Sequence, residues 1–287
     1  MMAEERTIKA IIFDLDGTLY EDTHHFDFYA ERLKVRTAVE YQGNFEDDYQ
    51  KIIKGSHPLR IGRVYDVSRD LILIHKNGEV SEALTWEGEQ LDEEGIRDLY
   101  REKLTFDMDT MFNVGDLWWV PNSIGRHYGL TSGESAEAFM ETRTFMAAPD
   151  YQLNAIESLI EVLDNLKERV LLVLLTNSPE EDSEIILEKL GMKDSFHLKV
   201  FNGNKPLRTK EQFEAIKEKT CVEFHEMLSV GDNLINEILP AKELGCATVL
   251  IDPHEISVAG DADDIVRNIE EVVPVLSGLL FRERMVK

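Results

Sequence analysis

Apolar residues fall into short runs with a regular punctuation over the second half of the chain. Arg169–Leu175 is a near-continuous apolar run ending in Thr176-Asn177-Ser178. Met227–Val230 ends in Gly231-Asp232, Thr248–Ile251 ends in Asp252, and shorter runs lie at Leu198–Phe201 and around Ile265. Each is too short for a helix and reads as a buried strand. Between them, Leu153–Glu168, Pro179–Leu190, Lys210–Thr220, Asn236–Leu244 and Ile269–Leu280 carry helical spacing, and Gly191 and Gly245 stop two of these helices. A matching strand, Ala10–Phe13, stands near the N-terminus and ends in Asp14-Leu-Asp16-Gly17. Strands alternating with helices predict parallel pairing, hence an α/β fold with a doubly wound parallel sheet, Rossmann-like in kind.

The stretch between differs. Glu21–Gly55 is polar and helix-like, with Phe26, Phe28, Tyr29 and Leu33 as candidate buried positions, and Ser56–Arg63 reads as a loop. Leu71–His75 and Val80–Trp86 flank Lys76-Asn77-Gly78-Glu79, a strong hairpin signal. Helices are predicted near Gly95–Leu104 and over Ala136–Thr144, the latter capped by Ser135. Ala148-Pro149-Asp150 marks a boundary. The expected division is a core from residues 1–20 and 150–287, with 21–149 inserted as a mainly α-helical second domain.

In doubly wound sheets ligands bind beyond the carboxyl ends of the strands. The polar residues expected there are Asp14, Thr176, Lys205 and Asp232. Asp14 and Asp16 repel one another in a partly dry site, and a bound cation such as Mg²⁺ would offset that. An Asp-Gly turn after a strand would also account for them. A calcium loop would not, since Thr18 stands at its fifth position, Gly17 comes too early and a strand precedes it.

Composition narrows the chemistry. With 31 Lys+Arg against 56 Asp+Glu the formal charge is −25, which argues against a nucleic-acid or anionic-membrane partner. An anionic substrate would need local positive groups and a metal to enter. No apolar run approaches the roughly 18 residues of a membrane span. Met1–Arg6 is acidic and polar, unlike a signal peptide, and two cysteines, Cys221 and Cys246, suit a reducing cytoplasm.

Four segments in order, Asp14-Leu-Asp-Gly-Thr-Leu, Leu174-Leu-Thr176-Asn177, Lys205-Pro206 and Gly231-Asp-Asn-Leu-Ile-Asn-Glu237, resemble the motifs of the haloacid dehalogenase superfamily of phosphohydrolases. The resemblance implies that Asp14 attacks phosphorus and that Asp16 acts as acid and base. It implies Mg²⁺ on the Asp14 carboxylate, the Asp16 backbone carbonyl and Asp232, and phosphate held by Thr176, Asn177 and Lys205. The implied substrate is a small phosphorylated metabolite. A phosphomutase or a non-catalytic binding protein on the same fold are the alternatives. Haloacid dehalogenases proper lack the second aspartate, so Asp16 favours phosphoryl transfer. The family places a cap domain where 21–149 lies; the hairpin puts a simple four-helix cap in doubt.

Several residues keep two readings. Thr176-Asn177 would also serve as a helix cap, and Lys210 rivals Lys205. Glu237 stands where the family often has Asp; it is either a group near the metal waters or a surface residue at a helix start. Phe106-Asp-Met-Asp-Thr110 echoes the first motif without its strand or glycine and reads as a helix-capping turn. Arg60, Arg63, Arg126 and His127 are candidate substrate contacts or solvated surface, Trp118 and Trp119 read as core or hinge packing ahead of a substrate platform, and His24 and His25, where a cap hinge would be, either assist phosphate transfer as in some mutases or are exposed linker.

Overall fold

The computed structural model describes residues 7–282; Met1–Arg6 lies outside them. The chain forms β1 (Ala10–Phe13), then α1 (His24–Lys34), α2 (Gln42–Ile53), β2 (Val64–Asp66), β3 (Leu71–Lys76) and β4 (Glu79–Leu84). Next come α3 (Glu93–Leu99), β5 (Met111–Asn113), α4 (Trp119–His127) and α5 (Ser132–Ala147). The alternating part follows as α6 (Glu157–Leu166), β6 (Leu171–Leu175), α7 (Glu180–Lys189), β7 (Leu198–Val200), α8 (Thr209–Thr220) and β8 (Met227–Gly231). It closes with a π-helical turn (Leu234–Ile238), α9 (Leu239–Glu243), β9 (Ala247–Ile251), β10 (Asp264–Val266) and α10 (Ile269–Arg282). Two compact units result: residues up to Asp22 with those from Met146 onward, and Thr23–Phe145.

The first unit is a six-stranded parallel sheet in the order β10-β9-β8-β1-β6-β7. β1 is apolar throughout because both faces are covered. Ala10 and Ile12 face a cluster with Phe213, Ile216 and Ala241 of α8 and α9. Helices α6 and α10 pack together, against β6 and β9 respectively. The doubly wound fold expected from the alternation is therefore present. Where the chain leaves and re-enters this unit it is tied down. Glu21 accepts the Ile269 N–H at 2.5 Å, and Asp22 accepts the Asn154 N–H and Nδ2 at 2.9 and 2.6 Å. The Lys189 ammonium donates to the carbonyls of Met146, Ala148 and Tyr151 at 2.8, 2.5 and 2.9 Å.

The inserted unit combines five helices with an antiparallel sheet ordered β4-β3-β2-β5. Asn77 (φ 52°) and Gly78 (φ 82°) supply the two positive φ values of a type I′ turn, as their sequence predicts. Tyr29 and Leu33 are buried, whereas Phe26 and Phe28 are only partly so. Trp118 packs on His25, Phe26 and Tyr29 with ring centroids 5.1–5.4 Å apart, a core role. Two helices differ from expectation. α3 starts earlier because Asp92 accepts the Gly95 N–H at 2.8 Å, and it ends at Tyr100, whose hydroxyl is held by Asp66. α5 is capped not by Ser135, which is buried, but by Thr131: its Oγ1 accepts the Glu134 N–H while Glu134 accepts the Thr131 N–H.

Two histidines make this unit pH-sensitive. His57 Nδ1 accepts the Leu59 N–H at 2.9 Å and His75 Nδ1 accepts the Gly78 N–H at 3.2 Å. Burial holds both imidazoles below their ordinary range. Protonating either Nδ1 breaks its bond to the backbone. The unfolded chain therefore binds more protons below about pH 6.5, and stability falls as pH falls through that value. All three tryptophans, Trp86, Trp118 and Trp119, lie in this unit and report on it. The expected result is a urea midpoint, read by tryptophan fluorescence, that drops between pH 7.5 and 5.5, with His57→Asn, which keeps an acceptor but cannot titrate, blunting the drop. A midpoint flat with pH would contradict it.

Candidate active site

The sheet register brings the motif residues to one edge. Phe13 is level with Leu174 of β6 and Val230 of β8, so Asp14, Thr176 and Asp232 emerge within a residue or two of the same level. The Asp14 N–H still donates to the Val230 carbonyl at 3.1 Å. β1 lies between β6 and β8, where the strand order reverses, which is the ligand-binding crevice of such sheets. Gly17 has φ +74°, and a Cβ there would lie 2.1 Å from Asp232 Oδ2. Only glycine lets the loop after β1 come so close to Asp232.

Lys205 arrives from a loop after β7. Asn202 and Asn204 take positive φ, and the Lys205–Pro206 peptide is cis. Asn177 fixes this loop from both sides: it accepts the Lys205 N–H at 2.7 Å and donates to the Lys205 carbonyl at 3.0 Å. Its side chain thus serves the lysine's backbone, while the phosphate contact expected here is from backbone N–H groups around Asn177. The buried Lys205 ammonium donates to Asp14 (2.7 Å), Glu237 (2.6 Å) and the Leu175 carbonyl (3.0 Å). Lys210, its rival in the sequence, pairs instead with Glu243 on the surface.

Glu237 is buried, which overturns its reading as a surface residue at a helix start. In place of an α-helix from Asn236, the chain makes a π-helical turn at Leu234–Ile238 capped by Asn233, whose Oδ1 accepts from Ile235 and Asn236. The wider turn points Glu237 inward, and its Oε2 accepts the Asn233 N–H at 3.0 Å. Gly231 makes room, since a Cβ there would lie 2.8 Å from Glu237 Cγ.

Among the described residues, Asp14, Asp232 and Glu237 each offer an oxygen within 4.8 Å of the others. Burial pushes the Asp14 carboxyl up; Lys205 pulls it down and Asp16 adds to the rise. Burial would also lower Lys205, but Asp14 and Glu237 overturn this and raise it, so the ammonium stays charged. One lysine does not balance this many carboxylates. A hard divalent cation would fit the surplus, and Asp14, Asp232 and Glu237 are the carboxylates near enough to one another to share it.

Asp16 is held differently. One carboxylate oxygen accepts from the Tyr20 hydroxyl and the other from Ser178 Oγ at 2.9 Å. Its side chain is not one of the three clustered carboxylates, though its charge still pushes Asp14 up, and its backbone carbonyl is the group expected on a metal. Thr176 is buried; its Oγ1 accepts the Ser178 N–H at 3.1 Å, which keeps its own O–H available to donate.

Other candidates serve the inserted unit. Arg126 donates to Asp109 and Ser132, Arg63 to the Pro58 carbonyl, and His127 stacks on Trp86 and bonds Asp70. Arg60 is exposed, as is His24, whereas His25 is buried against Phe26 and Trp118. Asp107 closes a turn by accepting the N–H groups of Asp109, Thr110 and Met111 ahead of β5, so the Phe106–Thr110 echo caps a strand entry, not a helix.

Known proteins can be set beside this geometry. A predicted phosphoglycolate phosphatase from Haemophilus somnus superposes with a TM-score of 0.53 at 18% identity, over 93% of this chain and 97% of its own. The HAD-hydrolase YfnB from Bacillus subtilis, a structure bound to magnesium, gives 0.52 at 14%, over 94% and 99%. The L-2-haloacid dehalogenase RSc1362 gives 0.50 at 16%, over 94% and 99%. These likenesses carry the fold. No curated protein matches the chain. The family model for haloacid dehalogenase-like hydrolases matches residues 8–245, spanning β1 and the four motif-bearing strand ends, and the chain belongs to that family of hydrolases.

Proposed function

We propose that this hydrolase is a Mg²⁺-dependent phosphatase acting on a small phosphomonoester through an aspartyl-phosphate on Asp14. The observation that carries the reading is the pairing of two differently held aspartates. Asp14 is buried against Lys205, whereas Asp16 stands two residues on in a setting of hydroxyl groups. An Asp14 oxygen bonds to phosphorus as the P–O bond to the alcohol breaks, and Asp16 gives that departing oxygen a proton. Asp16 then takes a proton from the water that attacks phosphorus, and phosphate leaves with Asp14 restored. Lys205, the Thr176 hydroxyl and backbone N–H groups around Asn177 hold the phosphoryl oxygens as charge shifts. Asp14, the Asp16 carbonyl and Asp232 would hold Mg²⁺, which screens the anionic nucleophile from the anionic phosphate.

Asp16 is also what favours phosphoryl transfer over halide displacement, since a departing halide needs no proton. The inserted unit, Thr23–Phe145, is proposed as the cap that selects the substrate. The two cysteines form no disulfide, which suits a cytoplasmic enzyme, and among the described residues no helix is long and apolar enough to cross a membrane.

The test is a panel of sugar phosphates, nucleotides and phosphoglycolate, assayed with Mg²⁺ and with excess chelator. Free phosphate should appear in step with the alcohol and stop when the metal is removed. A bisphosphate or positional isomer accumulating instead would make the enzyme a phosphomutase. Full activity in chelator would defeat the metal assignment, and no turnover on any ester would leave a binding protein.

A further inference from the structure

The two hydroxyls on Asp16 come from different parts of the chain, and neither can move away. Tyr20 is 1% exposed, four residues beyond Asp16 at the end of the first motif. Its ring is part of the core, so its hydroxyl is delivered from a fixed direction. Ser178 is 3% exposed. Its backbone is pinned at both ends, the N–H by Thr176 Oγ1 at 3.1 Å and the carbonyl by the Asn202 N–H at 3.1 Å. Each of these buried hydroxyls gains a charged acceptor in the carboxylate. Asp16 needs them in turn. It is followed by Gly17 at φ +74°, and a single hydrogen bond would leave its carboxyl plane able to turn. Two donors, one to each oxygen, fix that plane.

We propose that Tyr20 and Ser178 are positioning residues for the acid–base step. They orient the Asp16 carboxyl so that it hands its proton to the departing oxygen and later receives one from water. Neither touches the reacting atoms. This rests on the phosphatase reading above and says how its acid is aimed.

A mis-aimed acid hurts only substrates that need it. An alkyl phosphate expels a strongly basic alkoxide and requires the proton. A p-nitrophenyl phosphate expels a stable phenolate and does not. The value of kcat/KM reports the steps up to phosphoryl transfer, before the hydrolysis that both esters share. Tyr20→Phe, Ser178→Ala and the double variant should each lower the ratio of kcat/KM for an alkyl ester to that for the nitrophenyl ester. The double variant should lower it by at least about tenfold, a fraction of what general acid catalysis provides. Thermal melting of each variant accompanies the kinetics. Equal losses on both esters, tracking a lower melting temperature, would show a merely structural role and overturn the proposal. So would an unchanged ratio. If Tyr20→Phe does not fold, the Ser178→Ala ratio decides alone. Wild-type protein that releases phosphate from neither ester would bring down the phosphatase reading itself, a result distinct from any pattern among the variants.

Discussion

Asp14→Asn should cost at least about 10⁴-fold in turnover while leaving the fold as stable as before. The two halves of that expectation have separate causes. The amide cannot attack phosphorus, so no phosphoenzyme forms and acid-quenched protein should carry no labelled phosphate. Stability should hold because Asn keeps the shape of the side chain and an oxygen facing Lys205, and the ammonium stays paired with the Glu237 carboxylate. Lys205 keeps two of its three acceptors, Glu237 and the Leu175 carbonyl. Phosphate incorporation at wild-type level would show that another residue is the nucleophile. A large drop in melting temperature would show that the Asp14–Lys205 pair is mainly structural.

The core was readable because its strands are short apolar runs that stop abruptly. Asp14, Thr176 and Asp232 each stand one or two residues past such a run, and parallel in-register pairing then puts them together. Nothing comparable marked Glu237. Read as an ordinary helix from Asn236, it falls at a solvated helix start; the π-helical turn capped by Asn233 brings it inward. The available signal was Gly231, two residues before the cap Asn233, whose missing side chain makes the space Glu237 occupies. Asn177 was legible as a motif residue but not as the clamp on the Lys205 loop, since that contact spans 28 residues of sequence. Tyr20 and Ser178 sit beside motif residues and pass for core and turn.

In the inserted unit the hairpin was legible from Asn77-Gly78, but β2 and β5 were not. Three residues carry no periodicity, and β2 contains Asp66, fully buried and apparently out of place in a strand. It is satisfied by the Ser68 and Arg69 N–H groups, the Arg69 guanidinium and the Tyr100 hydroxyl. Such a carboxylate belongs in a core only with those partners in place, and they come partly from α3, which sequence alone sets in the wrong register.

Lys205→Met should remove activity and also destabilise the metal-free protein by about 3–5 kcal/mol, the usual cost of stripping one partner from a buried ion pair. Methionine matches the aliphatic stem of lysine as far as Cε, so most of the packing is kept and the loss is mainly electrostatic. Asp14 and Glu237 would then face each other and Asp232 across less than 4.8 Å with no cation between them. Two further measurements separate this account from simple misfolding. First, the stability deficit should shrink as Mg²⁺ is added, because a site that has lost a positive charge holds a divalent cation more tightly, and binding to the folded state alone stabilises it. Second, Lys205→Met combined with Glu237→Gln should be less destabilised than Lys205→Met alone, since the second change removes one of the like charges that the ammonium had offset. Non-additivity of that sign, measured by urea unfolding with and without Mg²⁺, is the expected outcome. A deficit that ignores Mg²⁺ and simply adds to that of Glu237→Gln would mean that Lys205 stabilises the loop after β7 rather than the carboxylates it touches.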